Sequence, residues 1–275
     1  MTRFTVLTDI ASRVMHATAG SPRTVSAGVA VDTAALSGVR QEIAGLPKWK
    51  SCNEDHAALA VDLMLSQCIA VSTVNVNRET QAWTDFLQDA EVLHNAIVST
   101  SRKVAGWAKP ANLLKFLLLS MSCAAATGHA IRVHPGPRIL GSKHQQLVEC
   151  ATVCDSEVEG EENLEVFESF WSSQHIPKSR LAKLGIEMIS TEVRVTTEQL
   201  EPALLLADYA AGLGLAAATD EPGRLPLPLS QSRAQRLLSL LSDKGKLVRV
   251  EEDFSYSYDE IFGEVMAQAR RHADA

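Results

Sequence analysis

Three aspartates stand out by their surroundings. Asp9 follows Phe4-Thr-Val-Leu-Thr, an alternating segment that reads as a strand carrying its carboxylate at the C-terminal end. Asp155 closes a second apolar run, Leu147 to Cys154, in the same manner. Asp208 lies inside Leu204-Leu-Leu-Ala-Asp-Tyr-Ala-Ala-Gly212. A lone carboxylate among leucines and alanines costs several kcal/mol unless something compensates. A cation, a metal ion or a helix face turned to water would do so. Hard divalent ions such as Mg2+ and Mn2+ prefer clustered carboxylate oxygens, so one shared metal site is one reading of the three. The other is two ordinary strand ends and a solvated helix position.

The elements that must position these residues alternate along the chain. After the Asp9 strand, a second strand is expected over Thr24 to Asp32 and a short helix from Thr33 to Ala44, ended by Gly45 and Pro47. Glu54 to Ile69 has Ala58, Val61, Leu65 and Ile69 at helical spacing, and Ala70 to Asn77 reads as a strand. Pro110, suited to a first helical turn, opens an apolar helix that ends near Gly128. Seven carboxylates crowd Asp155 to Glu168, partly on a helix with Leu164, Phe167, Phe170 and Trp171. Ile186 to Val195 is the next expected strand. Thr196-Thr-Glu-Gln199 has capping-box spacing, which predicts a helix opening there and running through Ala217. Strands alternating with helices predict an α/β layered domain over residues 1–220. The three prolines of Asp220 to Pro228 mark a linker. Beyond it, 225–275 reads as a small module: a helix over Ser232 to Leu241, a hairpin of Lys246–Val250 with Phe254–Ser257, and a last helix capped by Ser257-Tyr-Asp-Glu260. The helix-then-strand half of this module resembles part of a winged helix.

The segment Leu204-Leu-Leu-Ala-Asp-Tyr-Ala-Ala-Gly212 resembles the signature Leu-Gln-Leu-Ala-Asp-Leu-Val-Ala-Gly of the domain of unknown function 3800 family, assigned to the ribonuclease H-like superfamily. The resemblance extends to Asp9, where the family reads Asp-Glu-Ser-Gly, to Pro47-Lys48-Trp49-Lys50, and to Asp155 at the end of a later strand. It implies a ribonuclease H-like mixed sheet flanked by helices, and a two-metal site for phosphodiester hydrolysis. Carried over by position, Asp9 would bridge two ions, Asp155 and Asp208 would hold one each, and Lys50 would contact a phosphate. The cofactor so implied is Mg2+ or Mn2+. Glu54, Asp62 and Glu157 are candidates for a fourth carboxylate. This chain departs from the family at Asp9-Ile10-Ala11-Ser12, which lacks the Glu and Gly of the motif. The expectation is therefore a metal-dependent nuclease acting on DNA or RNA, with a catalytically silent scaffold of the same fold as the alternative.

Composition narrows the classes. With 275 residues and 46% hydrophobic side chains the chain has ample material for a core. Its formal net charge of −7 argues against a protein that coats nucleic acid broadly, though not against a local basic groove. The five cysteines, Cys52, Cys68, Cys123, Cys150 and Cys154, are an odd number in largely apolar settings, as expected of reduced thiols in the cytoplasm. Leu113 to Ala126 is too short to cross a bilayer and no secretory leader is read, so no membrane partner is expected. No phosphate-binding Gly-rich loop is present. His129, His134, His144, Cys150 and Cys154 lack the order and spacing of a zinc site. The even spacing of Cys150 and Cys154 instead turns both to one side, into the core. Nucleic acid, a protein partner and a second copy of the chain are all open as partners.

Overall fold

Alternation in the first strand divides the molecule into two layers. In the computed structural model, which describes residues 2–11, 22–100, 110–134, 146–155, 186–219 and 227–252, strand β1 covers Thr2–Ala11. Phe4, Val6 and Ile10 enter one core, while Leu7 and Ala11 enter the other. By the same two-residue period Asp9 belongs to the Leu7 and Ala11 side.

β1 is central in a six-stranded mixed sheet. Its partners are β2 (Arg23–Asp32), antiparallel, and β4 (Gln146–Asp155), parallel. β3 (Cys68–Asn77) lies antiparallel on β2, β5 (Ile186–Thr196) parallel on β4, and β6 (Leu247–Glu252) parallel on β3, giving the order β5-β4-β1-β2-β3-β6. Val-rich strands buried on both sides need helices on both sides, and the chain supplies them. Helices α3 (Gln81–Thr100) and α4 (Pro110–Val133) cover the Phe4 side with Trp83, Phe86, Leu114, Leu118 and Cys123. Helices α1 (Leu36–Ile43), α2 (Glu54–Gln67), α5 (Leu204–Ala218) and α6 (Gln231–Asp243) cover the other. The α/β class and the mixed, helix-flanked sheet agree with the sequence reading, and Cys150 and Cys154 are both buried in the first core.

Close approach of α4 to β2 depends on Gly28. A Cβ there would overlap the Ser122 carbonyl oxygen. Ser26 and Ser72 donate hydroxyl bonds to the Leu118 and Ser122 carbonyls at 2.8 and 2.6 Å, stitching the same contact.

One expectation changes. α5 begins at Leu204 with Ala203 at its N-cap, and β5 runs on through Thr196 into a turn. The physical reason is Pro202, which disfavours helical geometry at Glu201 and delays the helix. The capping-box reading of Thr196-Thr-Glu-Gln199 is therefore corrected: these residues join strand to helix without starting one. The described part of 225–275 also packs on the main sheet. α6 lies against α5 and α2, β6 extends the sheet beside β3, and Lys246 donates to the Leu65 and Cys68 carbonyls at the end of α2, each at 2.6 Å. Strand β6 thus pairs with β3. The long helix α3 answers to no sequence expectation. The acidic helix after Asp155, Glu157, the linker 220–226, the strand Phe254–Ser257 and the final helix lie outside the described residues.

Candidate metal centre

α5 is the most apolar of the described helices, buried along nearly its whole length, and Asp208 is its one charged residue. It packs across β1 and β2. This crossing places Asp208 above Asp9, which is 4% exposed. The turn after β5 brings a third carboxylate, Glu198, 9% exposed. One oxygen each from Asp9, Glu198 and Asp208 lie within 4.8 Å of one another. Oxygens around a single octahedral ion at about 2.1 Å sit about 3 to 4 Å apart, so a small inward shift of these groups would complete three ligands of such an ion.

Each carboxylate is held. The Ile10 N–H donates to Asp9 Oδ1 at 2.6 Å. The Trp49 N–H donates to Asp208 Oδ2 at 2.7 Å, from a short 3-10 turn over Trp49–Ser51. Gly212, one helical turn after Asp208, faces the Trp49 indole, and a Cβ there would collide with the ring. Asp and Gly at this spacing therefore do one job together: the carboxylate takes the Trp49 amide and the glycine makes room for its ring. Tyr209 completes the clasp, donating to the Pro47 carbonyl at 2.9 Å and meeting Trp49 edge-on at 5.9 Å. The sequence motif around Asp208 is thus the packing surface for 47–51 as much as a source of ligand.

Lys48 closes the cluster, its Nζ lying 2.5 Å from Glu198 Oε1. Burial pulls its ammonium down, but Glu198, Asp155 and Asp208 more than offset this and hold it above its usual value. Burial pushes the Asp208 carboxyl up to about 6, with the Glu198 charge pushing the same way; the Trp49 N–H, Lys48 and Lys50 oppose it. The Cys52 thiol nearby is pushed up to about 11 by burial and by the Asp208 charge. It has no character of a nucleophile at neutral pH.

Of the residues singled out from sequence, Asp9 and Asp208 come together. Asp155 ends β4 beside Thr196, and its charge acts on Lys48, but it is not one of the three oxygens that converge. Lys50 is exposed on the 3-10 turn and close enough to act on Asp208. Of the suggested fourth carboxylates, Glu54 is half exposed and pairs with Arg233 at 3.1 Å, and Asp62 is exposed on α2. Glu198 is the residue that sequence reasoning passed over, having absorbed it into a capping box. Two signals pointed to it: Pro202 blocks an early helix, and 198 falls just past the carboxyl end of a strand, where α/β sheets place their sites. No protein-family model matches the sequence, and no curated protein matches it.

Proposed function

We propose that this chain is a divalent-metal-dependent phosphodiesterase acting on nucleic acid, with Asp9, Glu198 and Asp208 as its metal ligands and Mg2+ or Mn2+ as the ion. The observation that carries the proposal is the convergence of these three carboxylates at the carboxyl ends of β1 and β5. All-oxygen donors suit hard ions. Such an ion, when bound, polarises a phosphoryl oxygen and lowers the pKa of a bound water. The order β5-β4-β1-β2-β3, with the first three chain strands antiparallel and the next two parallel to β1, is compatible with a ribonuclease H-like sheet. In this reading Asp155 borders the site as a candidate fourth carboxylate. Lys48 and Lys50 supply positive charge on the open side for a phosphate, and the buried clasp of Trp49, Tyr209 and Gly212 holds that lysine segment in place.

The Lys48–Glu198 ion pair favours a second reading. A lysine that already neutralises the cluster would let a silent scaffold of this fold persist without metal.

Calorimetric titration of Mn2+ and Mg2+ into the wild type and Asp208→Asn separates the two. Saturable binding that the variant loses, followed by metal-dependent cleavage of single- or double-stranded oligonucleotides, is the expected result. A folded wild type that takes up no ion at millimolar concentration, with or without oligonucleotide, would overturn the proposal in favour of the scaffold.

A further inference from the structure

A cation already stands at the carboxylate cluster, and it belongs to the chain. Lys48 Nζ lies 2.5 Å from Glu198 Oε1, and Glu198 is one of the three acids whose oxygens gather within 4.8 Å. The two ends of this pair differ. The Glu198 side chain is 8% exposed and that of Lys48 is 50% exposed, so the carboxylate is buried and the ammonium reaches it from the water side. More than one acid acts on the ammonium: the charges of Asp155 and Asp208 add to that of Glu198. Lys48 thus faces the cluster as a small cation does, but on a flexible four-carbon stem.

The backbone beneath that stem is pinned on both sides. Tyr209 donates to the Pro47 carbonyl at 2.9 Å, and the Trp49 N–H donates to Asp208 at 2.7 Å, so both neighbours of Lys48 are tied to α5. The Lys48 carbonyl accepts the Ser51 N–H at 2.9 Å and closes the 3-10 turn. The part left free to move is the side chain, and exposed side chains change rotamer within nanoseconds. An ammonium carries one charge and meets a carboxylate oxygen at about 2.7–2.9 Å. Mg2+ carries two charges and holds its oxygens at about 2.0–2.1 Å. With such an ion on Glu198, the ammonium is repelled from the same carboxylate, and a stem half in water gives it somewhere to go.

We propose that Lys48 is a placeholder for the ion: it pairs with Glu198 in the metal-free protein and is displaced from it, by a change of side-chain rotamer alone, when Mg2+ or Mn2+ binds. The proposal rests on the metal-dependent reading of the site, and it makes the Lys48 ammonium available to a phosphate only after the ion is in place. The test is calorimetric titration of Mn2+ into the full-length wild type, Lys48→Met and Lys50→Met at about 0.15 M salt, where exposed charges are screened beyond about 8 Å. Methionine keeps the stem and removes the charge, and Lys48→Gln replaces this variant if it does not fold. Lys50 is exposed and its charge also reaches Asp208, so Lys50→Met measures the gain from removing a nearby cation that does not pair with Glu198. Lys48→Met is expected to bind Mn2+ about fivefold tighter than the wild type, the upper end for a half-exposed ion pair, and Lys50→Met within about twofold of it. A second measurement follows the ammonium itself. In the 15N-labelled protein the Lys48 side-chain resonance, identified by its absence from Lys48→Met, is expected to move on adding Mg2+ towards those of fully exposed lysines. Uptake by the wild type that Lys48→Met matches or weakens would overturn the placeholder and leave the metal site standing. So would a gain no larger than that of Lys50→Met, or a Lys48 resonance that Mg2+ leaves in place. Uptake by Lys48→Met but not by the wild type would show a lysine that metal cannot displace, and would overturn its release. No uptake by any of the three proteins would overturn the metal reading, and the placeholder with it.

Discussion

Replacing Asp208 by Asn should make the metal-free protein more stable, and more so as pH rises. The carboxyl has an ordinary value near 3.8 and is held at about 6, chiefly by burial. Its proton is therefore bound more tightly in the folded chain than in the unfolded one, and ionising it works against the fold. The cost is small below pH 4, grows as pH rises from about 4 to 6, and is complete above that. A carboxyl moved from 3.8 to about 6 on folding costs about 3 kcal/mol at pH 8, and the same linkage gives about 1 kcal/mol at pH 4.5. The amide oxygen of the variant can still accept the Trp49 N–H, so the clasp that Asp208 makes at 2.7 Å survives. The expected signature is a stability gap between variant and wild type that widens by about 2 kcal/mol from pH 4.5 to pH 8. Urea unfolding in EDTA at both pH values measures it, and other titrating groups cancel because both proteins share them. A gap that does not change with pH, or a variant less stable than wild type at pH 8, would refute the reasoning. Adding Mn2+ should then reverse the order. Ion at a hundredfold excess over its Kd stabilises a binding protein by about 2.7 kcal/mol, and only the wild type has the full site.

Glu201→Gln should cost about 1–3 kcal/mol near neutral pH by weakening charge-assisted bonds to two arginines. Burial raises the Glu201 carboxyl, but Arg40 and Arg194 outweigh it and hold the group below its usual value of 4.5. Its contribution is thus present above about pH 4.5 and lost as pH falls through the depressed value, so thermal melts of variant and wild type should converge in acid. Gly212→Ala should displace Trp49 and destabilise by about 1–3 kcal/mol, typical of overpacking, and calorimetry should show weaker Mn2+ binding as the Trp49 amide leaves Asp208. A thiol reagent at pH 8 should label native Cys52 slowly and leave Cys68, Cys123 and Cys150 unreacted until urea is added. Burial pushes those three up, Cys68 to about 12 and Cys123 to about 11.

The layered α/β plan was legible because it rests on periodicity. Alternation marked β1, a run rich in Val and small residues marked β2, helical spacing marked α2, and Pro110 marked the start of α4 within the residue where it begins. What was not legible depends on contacts between distant segments. That Lys246–Val250 joins the main sheet beside β3 cannot be read from a short strand of ordinary composition; the groups that anchor it there include the Leu65 and Cys68 carbonyls, about 180 residues away, that receive Lys246. The same holds at the site. Asp208 was conspicuous because its neighbours are apolar, which is a local property. Glu198 looked like an ordinary acid in the first turn of a helix, and its burial beside Asp9 is a property of the fold.

A physical asymmetry between Asp208 and Glu201 bears on which parts of this surface serve stability and which serve a ligand. Both are largely buried carboxylates on the same side of the sheet, one within α5 and the other in the turn that precedes it. Two arginines hold Glu201 below its usual value, so its charge is satisfied within the protein. Asp208 has a single backbone N–H bond and two neighbouring acids, and is left near 6 with lysines that oppose the rise without cancelling it. A fold selected for stability alone would treat the two alike, by adding a cation or removing the acid. Keeping one satisfied and one strained is the pattern of a site that stores electrostatic cost until a positively charged ligand arrives. On that argument an ion bound there would offset what the apolar helix around Asp208 withholds, while Glu201 holds the turn that carries Glu198 through its bonds to Arg40 and Arg194.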